Sequence, residues 1–306
     1  MTQSPTEDPW QRRGLVAAPH TPFRPDGRLH LEAVEPQAAF LAARGVRGVF
    51  IAGSTGEGAA LDRGERRALL EAWGPAARNA GLHLWVHVGS DNMREARELA
   101  QHAQAQGADA IAYLPSRYFR PGSVEELVDW CAAISSAAPE LPAYLYDIPA
   151  ISGVELPTER FLDLGAARIP NLAGIKYSRP DSLLQQRLLA ADGGRYEVLH
   201  GIDETLLTGL ALGVHGAVGS TYNFATPLAL RIAEDFAAGR WQAARAGQWK
   251  LVRLVDALVP FGYLAAARAL MGLLGVELGP PRAPHRPLDD AAIQRLEAAV
   301  DELELP

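Results

Sequence analysis

Leu172-Ala173-Gly174-Ile175-Lys176-Tyr177-Ser178 is a short β-favouring run with a lysine near its end, set between stretches of helical spacing. A strand alternates its side chains between two faces, so Gly174, Lys176 and Ser178 share one of them. Seven other runs have the same character: Leu15 to Ala18, Gly48 to Ala52, Leu84 to Val88, Ala110 to Leu114, Ala143 to Tyr146, Glu197 to His200 and Gly216 to Gly219. Within the first-quoted stretch the strand itself is expected over Ala173 to Lys176. Helical patterns lie between nearly all of these runs. Asp62 with Glu65 and Ser123 with Glu126 have the spacing of capping boxes, and Asp91 precedes another helical run.

Eight β-then-α units joined by right-handed crossovers close into a barrel more readily than they stay open. A doubly wound sheet would show a Gly-rich dinucleotide turn after its first strand, whereas strand one here runs into Pro19-His20-Thr21-Pro22. The expected fold is α/β, a (β/α)8 TIM barrel over residues 14–239. A flexible tail is expected over 1–13, and a C-terminal helical extension packed on the barrel over 240–306. Leu228 to Gly239 can supply the last barrel helix, with further helices at Trp241 to Pro260, Tyr263 to Leu274 and Leu288 to Leu303. Gly279-Pro280-Pro281-Arg282-Ala283-Pro284 reads as a stiff connector.

The chain has 306 residues, 48% hydrophobic and 21% charged, which suits one large domain. Its net charge of -7 and pI of about 5.6 give no reason to expect nucleic acid or an anionic membrane surface as partner. No window holds the roughly 18 apolar residues of a membrane span, and the N-terminus lacks an apolar leader core. A small molecule is the expected partner. The single cysteine, Cys131, lies in an apolar helical stretch and reads as a buried thiol, consistent with a reducing cytoplasm.

Of the 29 basic residues only Lys176 and Lys250 are lysines. Arginine stays protonated and cannot serve as an amine nucleophile, so a lysine kept inside an apolar strand invites a chemical reading. A free lysine amine titrates near ~10.4, a useful amine nucleophile nearer about 7 to 8, and burial in an apolar barrel acts in that direction. The alternative for Lys176 is a structural ion pair with a buried carboxylate. Lys250, in Trp249-Lys250-Leu251, fits a snorkelling surface cation.

A barrel carries its reactive groups at the C-terminal ends of its strands. Strand five puts Tyr144 and Tyr146 on one face with Tyr146 nearer the mouth, where its phenol can move protons or simply pack. After strand two, Gly53-Ser54-Thr55-Gly56-Glu57-Gly58 is a turn whose N–H groups and hydroxyls can converge on a small anion, and it lacks the Gly-Lys-Ser/Thr ending of a nucleotide loop. Gly201-Ile202-Asp203-Glu204 follows strand seven and Gly219-Ser220-Thr221-Tyr222-Asn223 follows strand eight. Their polar groups could hold the hydroxyls of a polyol. His20, His87 and His200 fall near strand ends, as a metal-dependent barrel hydrolase would want, but no His-x-His follows strand one. No metal is expected.

These segments resemble the N-acetylneuraminate lyase and dihydrodipicolinate synthase superfamily from about Gly14 to Pro284. Gly53-Ser54-Thr55-Gly56-Glu57 is similar to its carboxylate-binding turn, Tyr146-Asp147-Ile148-Pro149-Ala150 to its tyrosine segment, and Gly174-Ile175-Lys176 to its Schiff-base strand. The loops after strands seven and eight look like the sialic acid lyase branch, and Ile151 stands where the synthase branch carries a carboxylate-binding arginine. Asp147, where that lyase branch usually has His or Asn, and the basic segment Ser116-Arg117-Tyr118-Phe119-Arg120 depart from the pattern. The resemblance implies a class I pyruvate aldolase cleaving N-acetylneuraminate, or a related aldolase, synthase or dehydratase acting on another sugar acid or 4-hydroxy-2-oxo acid. It implies catalytic roles for Lys176, Tyr146 and Tyr118, and substrate contacts for Ser54, Thr55, Gly56, Ser178, Gly201, Asp203, Glu204 and Ser220. A covalent lysine–pyruvate Schiff base would stand in place of any cofactor, in a homotetramer.

Overall fold

In the computed structural model, which describes residues 9–303, eight parallel strands pair in chain order and close on themselves. They are β1 (Gly14–Ala17), β2 (Gly48–Ile51), β3 (His83–His87), β4 (Ala110–Tyr113), β5 (Ala143–Asp147), β6 (Leu172–Tyr177), β7 (Glu197–His200) and β8 (Gly216–Gly219). β1 meets β8 from Gly14 opposite Gly216 to Ala17 opposite Gly219, so no strand edge is left open. Each expected run became a strand, with its ends within one residue of the reading. The TIM barrel is confirmed.

The strands are buried on both faces, as parallel strands between a lumen and a ring of helices must be. Inside, Val16, Phe50, Trp85, Tyr144, Tyr146 and Leu199 fill the lumen. Trp85 stacks on Tyr144 with ring centroids 4.6 Å apart. Below them the Tyr144 hydroxyl donates to Glu197 at 2.8 Å, and Glu197 pairs with Arg13 at 2.9 Å. This cluster closes the N-terminal end of the barrel.

The helix starts follow local chemistry. Asp62 and Glu65 form the expected reciprocal cap on Arg63–Ala80. Ser123 caps Val124–Ser135 by accepting from the Glu126 N–H, but the Glu126 carboxylate turns to the Gly122 N–H, so the box is only half made. Asn92, not Asp91, caps Met93–Ala105. Asp91 instead accepts from the Arg117 N–H at 2.6 Å and joins the loops after β3 and β4.

Beyond Thr226–Ala237 the extension forms Trp241–Leu258, Tyr263–Leu273 and Asp290–Asp301. Of the segment 1–13, residues 1–8 lie outside the described residues, Pro9–Arg12 form a 3-10 turn, and Arg13 is held by its ion pair. Cys131 is fully buried, which pushes its thiol well up. Among the described residues no single helix is long and apolar enough to cross a membrane.

Candidate active site

β6 delivers Lys176 into the lumen opposite Tyr146 of β5, in direct register with it. Lys176 is 6% exposed. Its Nζ sits 3.9 Å from the centre of the Tyr146 ring and 4.7 Å from that of Phe50. Among the described residues no carboxylate forms an ion pair with this amine. Among the described residues the structural ion-pair alternative therefore has no partner within ion-pair distance, and the near contacts that stabilise an ammonium are aromatic faces, with Asp203 acting at longer range. Phe50 and His87 meet the Tyr146 ring edge-on, at 5.8 and 6.4 Å, and fix its plane.

The turn after β2 is held in a conformation that a free chain disfavours. Ala52 and Glu57 both adopt positive φ, 55° and 52°, which costs a non-glycine residue about 1–3 kcal/mol. A Cβ on Gly58 would lie 1.9 Å from the Ala52 carbonyl oxygen, so only glycine fits there. What holds the turn is a buried ion pair that the sequence reading missed. Glu57 accepts from Arg268 at 3.0 Å and from the Arg282 N–H at 2.8 Å, while Arg268 also donates to the Thr21 carbonyl at 2.9 Å. Thr21 in turn donates its hydroxyl to the Gly56 carbonyl at 2.6 Å. Burial pushes the Glu57 carboxyl up against the opposing pull of these partners. Ser54 is left exposed and Thr55 half-buried, with both hydroxyls uncommitted to the protein among the described residues.

Across the mouth, Ser178 donates its hydroxyl to the Gly201 carbonyl at 3.1 Å. Asp203 is buried and accepts from the Thr221 N–H at 2.8 Å and the Thr221 hydroxyl at 2.7 Å, which ties the loops after β7 and β8 together. A Cβ on Gly219 would lie 1.8 Å from Asp203 Oδ1. Burial pushes Asp203 up, with Thr221 and then Lys176 opposing. Glu204 and Ser220 are half-buried on the loops after β7 and β8. The structure thus brings Lys176, Tyr146, Ser178, Gly201, Asp203, Glu204 and Ser220 to one end of the barrel, with Ser54, Thr55 and Gly56 on the β2 side.

Asp147 departs from the expected residue type because its carboxylate has an internal task. It accepts from Thr158 and Arg179, each at 2.7 Å, and is directed away from the mouth. Tyr118 does not join the cluster. It is 80% exposed and packs edge-on against Phe119, itself 80% exposed, so within a single chain its expected catalytic placement is not met.

A cavity of about 810 Å³ opens over the β2 to β4 side of the mouth, with Ser54, Arg66, His87, Glu95, Arg117 and His285 in its walls. Lys176 and Tyr146 do not line it. His87 links the two regions, since it borders the cavity and touches the Tyr146 ring.

The three strand-end histidines are scattered among other tasks. His20 is fully buried, and burial followed by the Arg268 charge lowers it to about 3. His200 contacts Gln185 and Thr205, each at 3.0 Å, and burial lowers it to about 4. Among the described residues no group of three or more His, Cys, Asp or Glu side chains is placed to hold a metal ion.

The model of the dihydrodipicolinate synthetase family matches residues 11–303. The chain belongs to that family. Within the family's barrel, an N-acetylneuraminate lyase of Gallus gallus is 35% identical over 297 residues, covering 96% of this chain and 96% of its own. The solved N-acetylneuraminate lyase of Proteus mirabilis superposes with a TM-score of 0.93 at 36% identity, over 96% of this chain and 99% of its own. A Ruminococcus gnavus structure, described as a sialic acid aldolase with its catalytic lysine mutated, gives 0.90 at 28% identity over 96% of each chain. Family membership, with the placement of Lys176, sets aside the metal-dependent hydrolase alternative.

Proposed function

We propose that the chain is a class I pyruvate aldolase that reversibly cleaves N-acetylneuraminate to N-acetylmannosamine and pyruvate, with Lys176 as the Schiff-base amine. The observation that carries this reading is the buried Lys176 amine, with no carboxylate in ion-pair contact among the described residues, facing the Tyr146 ring at 3.9 Å. The chemistry named for the chicken, Proteus and Ruminococcus relatives agrees with it.

In this mechanism the neutral amine adds to the C2 carbonyl of the open-chain sugar acid, and loss of water leaves an iminium. The bond between C3 and C4 then breaks, its electron pair moving into the iminium to give an enamine, as the C4 hydroxyl loses its proton and becomes the aldehyde. Tyr146 relays that proton through the substrate carboxylate. Ser54, Thr55 and the Gly56 N–H hold the carboxylate, so the reacting atoms are positioned before the charge moves. Protonation of the enamine at C3 and hydrolysis release pyruvate and restore the amine.

Asp203, Glu204, Ser220, Ser178 and the Gly201 carbonyl are assigned to the sugar's hydroxyl groups. Because Asp203 is already committed to Thr221, Glu204 is the carboxylate with capacity to spare. Glu204→Gln is expected to raise KM for N-acetylneuraminate about tenfold, a hydrogen bond to a charged group being worth ~1.5–3 kcal/mol, while pyruvate still becomes trapped on Lys176 by borohydride. Loss of trapping would instead make Glu204 a support for the amine. The substrate itself is tested by pyruvate release from N-acetylneuraminate. Trapping without such release would shift the reading to another 4-hydroxy-2-oxo acid.

The exposed Tyr118–Phe119 pair is a natural contact surface for a second copy, and we place the active form as a cytoplasmic homotetramer. Tyr118 can take a catalytic role only where such a copy covers it.

A further inference from the structure

The helical extension reaches the barrel mouth at a second point besides Arg268. After Gly262, whose φ of +79° turns the chain, Tyr263 opens the helix Tyr263–Leu273. Its hydroxyl lies 2.7 Å from Ser220 Oγ. Burial, then the Asp203 carboxylate, raise the Tyr263 phenol, and Glu204 adds to the effect, so the group remains a donor at neutral pH. Burial also pushes Glu204 up, with Asp203 and Asp256 contributing. A hydroxyl pair has only two protons to place. A phenol that donates to Ser220 Oγ leaves the serine proton free for another acceptor, and the half-buried Glu204 carboxylate lies near enough to act on the same phenol.

We propose that Tyr263 is a specificity-determining residue, which orients Ser220 as a donor so that Ser220 and Glu204 together read two neighbouring hydroxyls of a polyhydroxy chain. Ser220 supplies the donor and Glu204 the acceptor, a combination that a diol satisfies and a short aldehyde cannot reach. The extension thereby selects substrates by length. This rests on the sugar-acid reading above, and Tyr263 acts on the substrate through Ser220, as a positioning residue.

The test is aldol condensation of pyruvate with N-acetylmannosamine and, in parallel, with glycolaldehyde, which has no polyol tail. Tyr263→Phe keeps the ring and removes only the hydroxyl. It is expected to raise KM for N-acetylmannosamine roughly five- to tenfold, as for one lost hydrogen bond, and to move KM for glycolaldehyde less than about twofold. In a Ser220→Ala background the same substitution should add less than about twofold for the long aldehyde, since the two hydroxyls act as a unit. A general packing defect would change both aldehydes alike, and that outcome, or an unchanged KM for N-acetylmannosamine, overturns the assignment of Tyr263. A wild-type enzyme that shows no preference for N-acetylmannosamine over glycolaldehyde overturns the sugar-acid reading itself.

Discussion

Lys176→Arg is expected to abolish aldol cleavage, by at least about 10³-fold in kcat/KM, while the protein still folds. The replacement preserves a cation, and a planar guanidinium can stack on the same aromatic faces that Nζ now meets, those of Tyr146 and Phe50. The added bulk in a site only 6% exposed costs about 1–3 kcal/mol, which a barrel of this size tolerates. What it lacks is a lone pair, so no carbinolamine can form. The measurement is a pyruvate-release assay alongside a circular-dichroism melt. A folded Lys176→Arg protein with near-parental turnover would contradict the assignment.

The second large effect is expected from Arg268→Met, which is remote in sequence from every residue that touches substrate. The substitution leaves Glu57 buried with its principal charge partner gone, and breaking such a pair from one side costs about 3–5 kcal/mol. It also removes the donor that joins Glu57 to the Thr21 carbonyl, the chain through which the Ser54–Gly56 turn is held. The thermal midpoint should fall by roughly 10 °C, and KM for pyruvate should rise as the strained turn relaxes. Adding Glu57→Gln should recover part of the lost stability, because the uncompensated charge is then absent. A midpoint within about 2 °C of the parent would show that the ion pair does not hold the turn.

The barrel was legible because each strand is a short apolar run bounded by helical spacing, and a run such as Leu172 to Ser178 fixes which residues share a face. The same alternation put Lys176 on one face with Gly174 and Ser178, and the closed barrel turns that face inward with Tyr146 in register beside it. Three features were not legible. Arg268 and Tyr263 lie in a helix far along the chain, and nothing in local spacing indicates that one reaches the turn after β2 and the other the loop after β8. Asp147 stood out only as a departure from the family pattern, because its partner Arg179 lies beyond two helices and the next strand. Tyr118 sits in a loop, where no periodicity fixes direction, and it points outward. Strand periodicity constrains orientation, while loops and long-range ion pairs depend on how the closed barrel brings distant segments together.

Tyr144 illustrates how the same signal can serve two ends. It shares its face with Tyr146, two residues away, yet its hydroxyl is spent on Glu197 at the closed end of the lumen. Only position along the strand separates the structural tyrosine from the one proposed to move protons.

The most direct test is sodium borohydride reduction in the presence of pyruvate, followed by peptide mass spectrometry of the whole protein. The mechanism predicts one stable reduced pyruvyl adduct, located on Lys176 and absent from the Lys176→Arg variant. Failure of the protein to trap pyruvate, or an adduct carried by Lys250 instead, would contradict it.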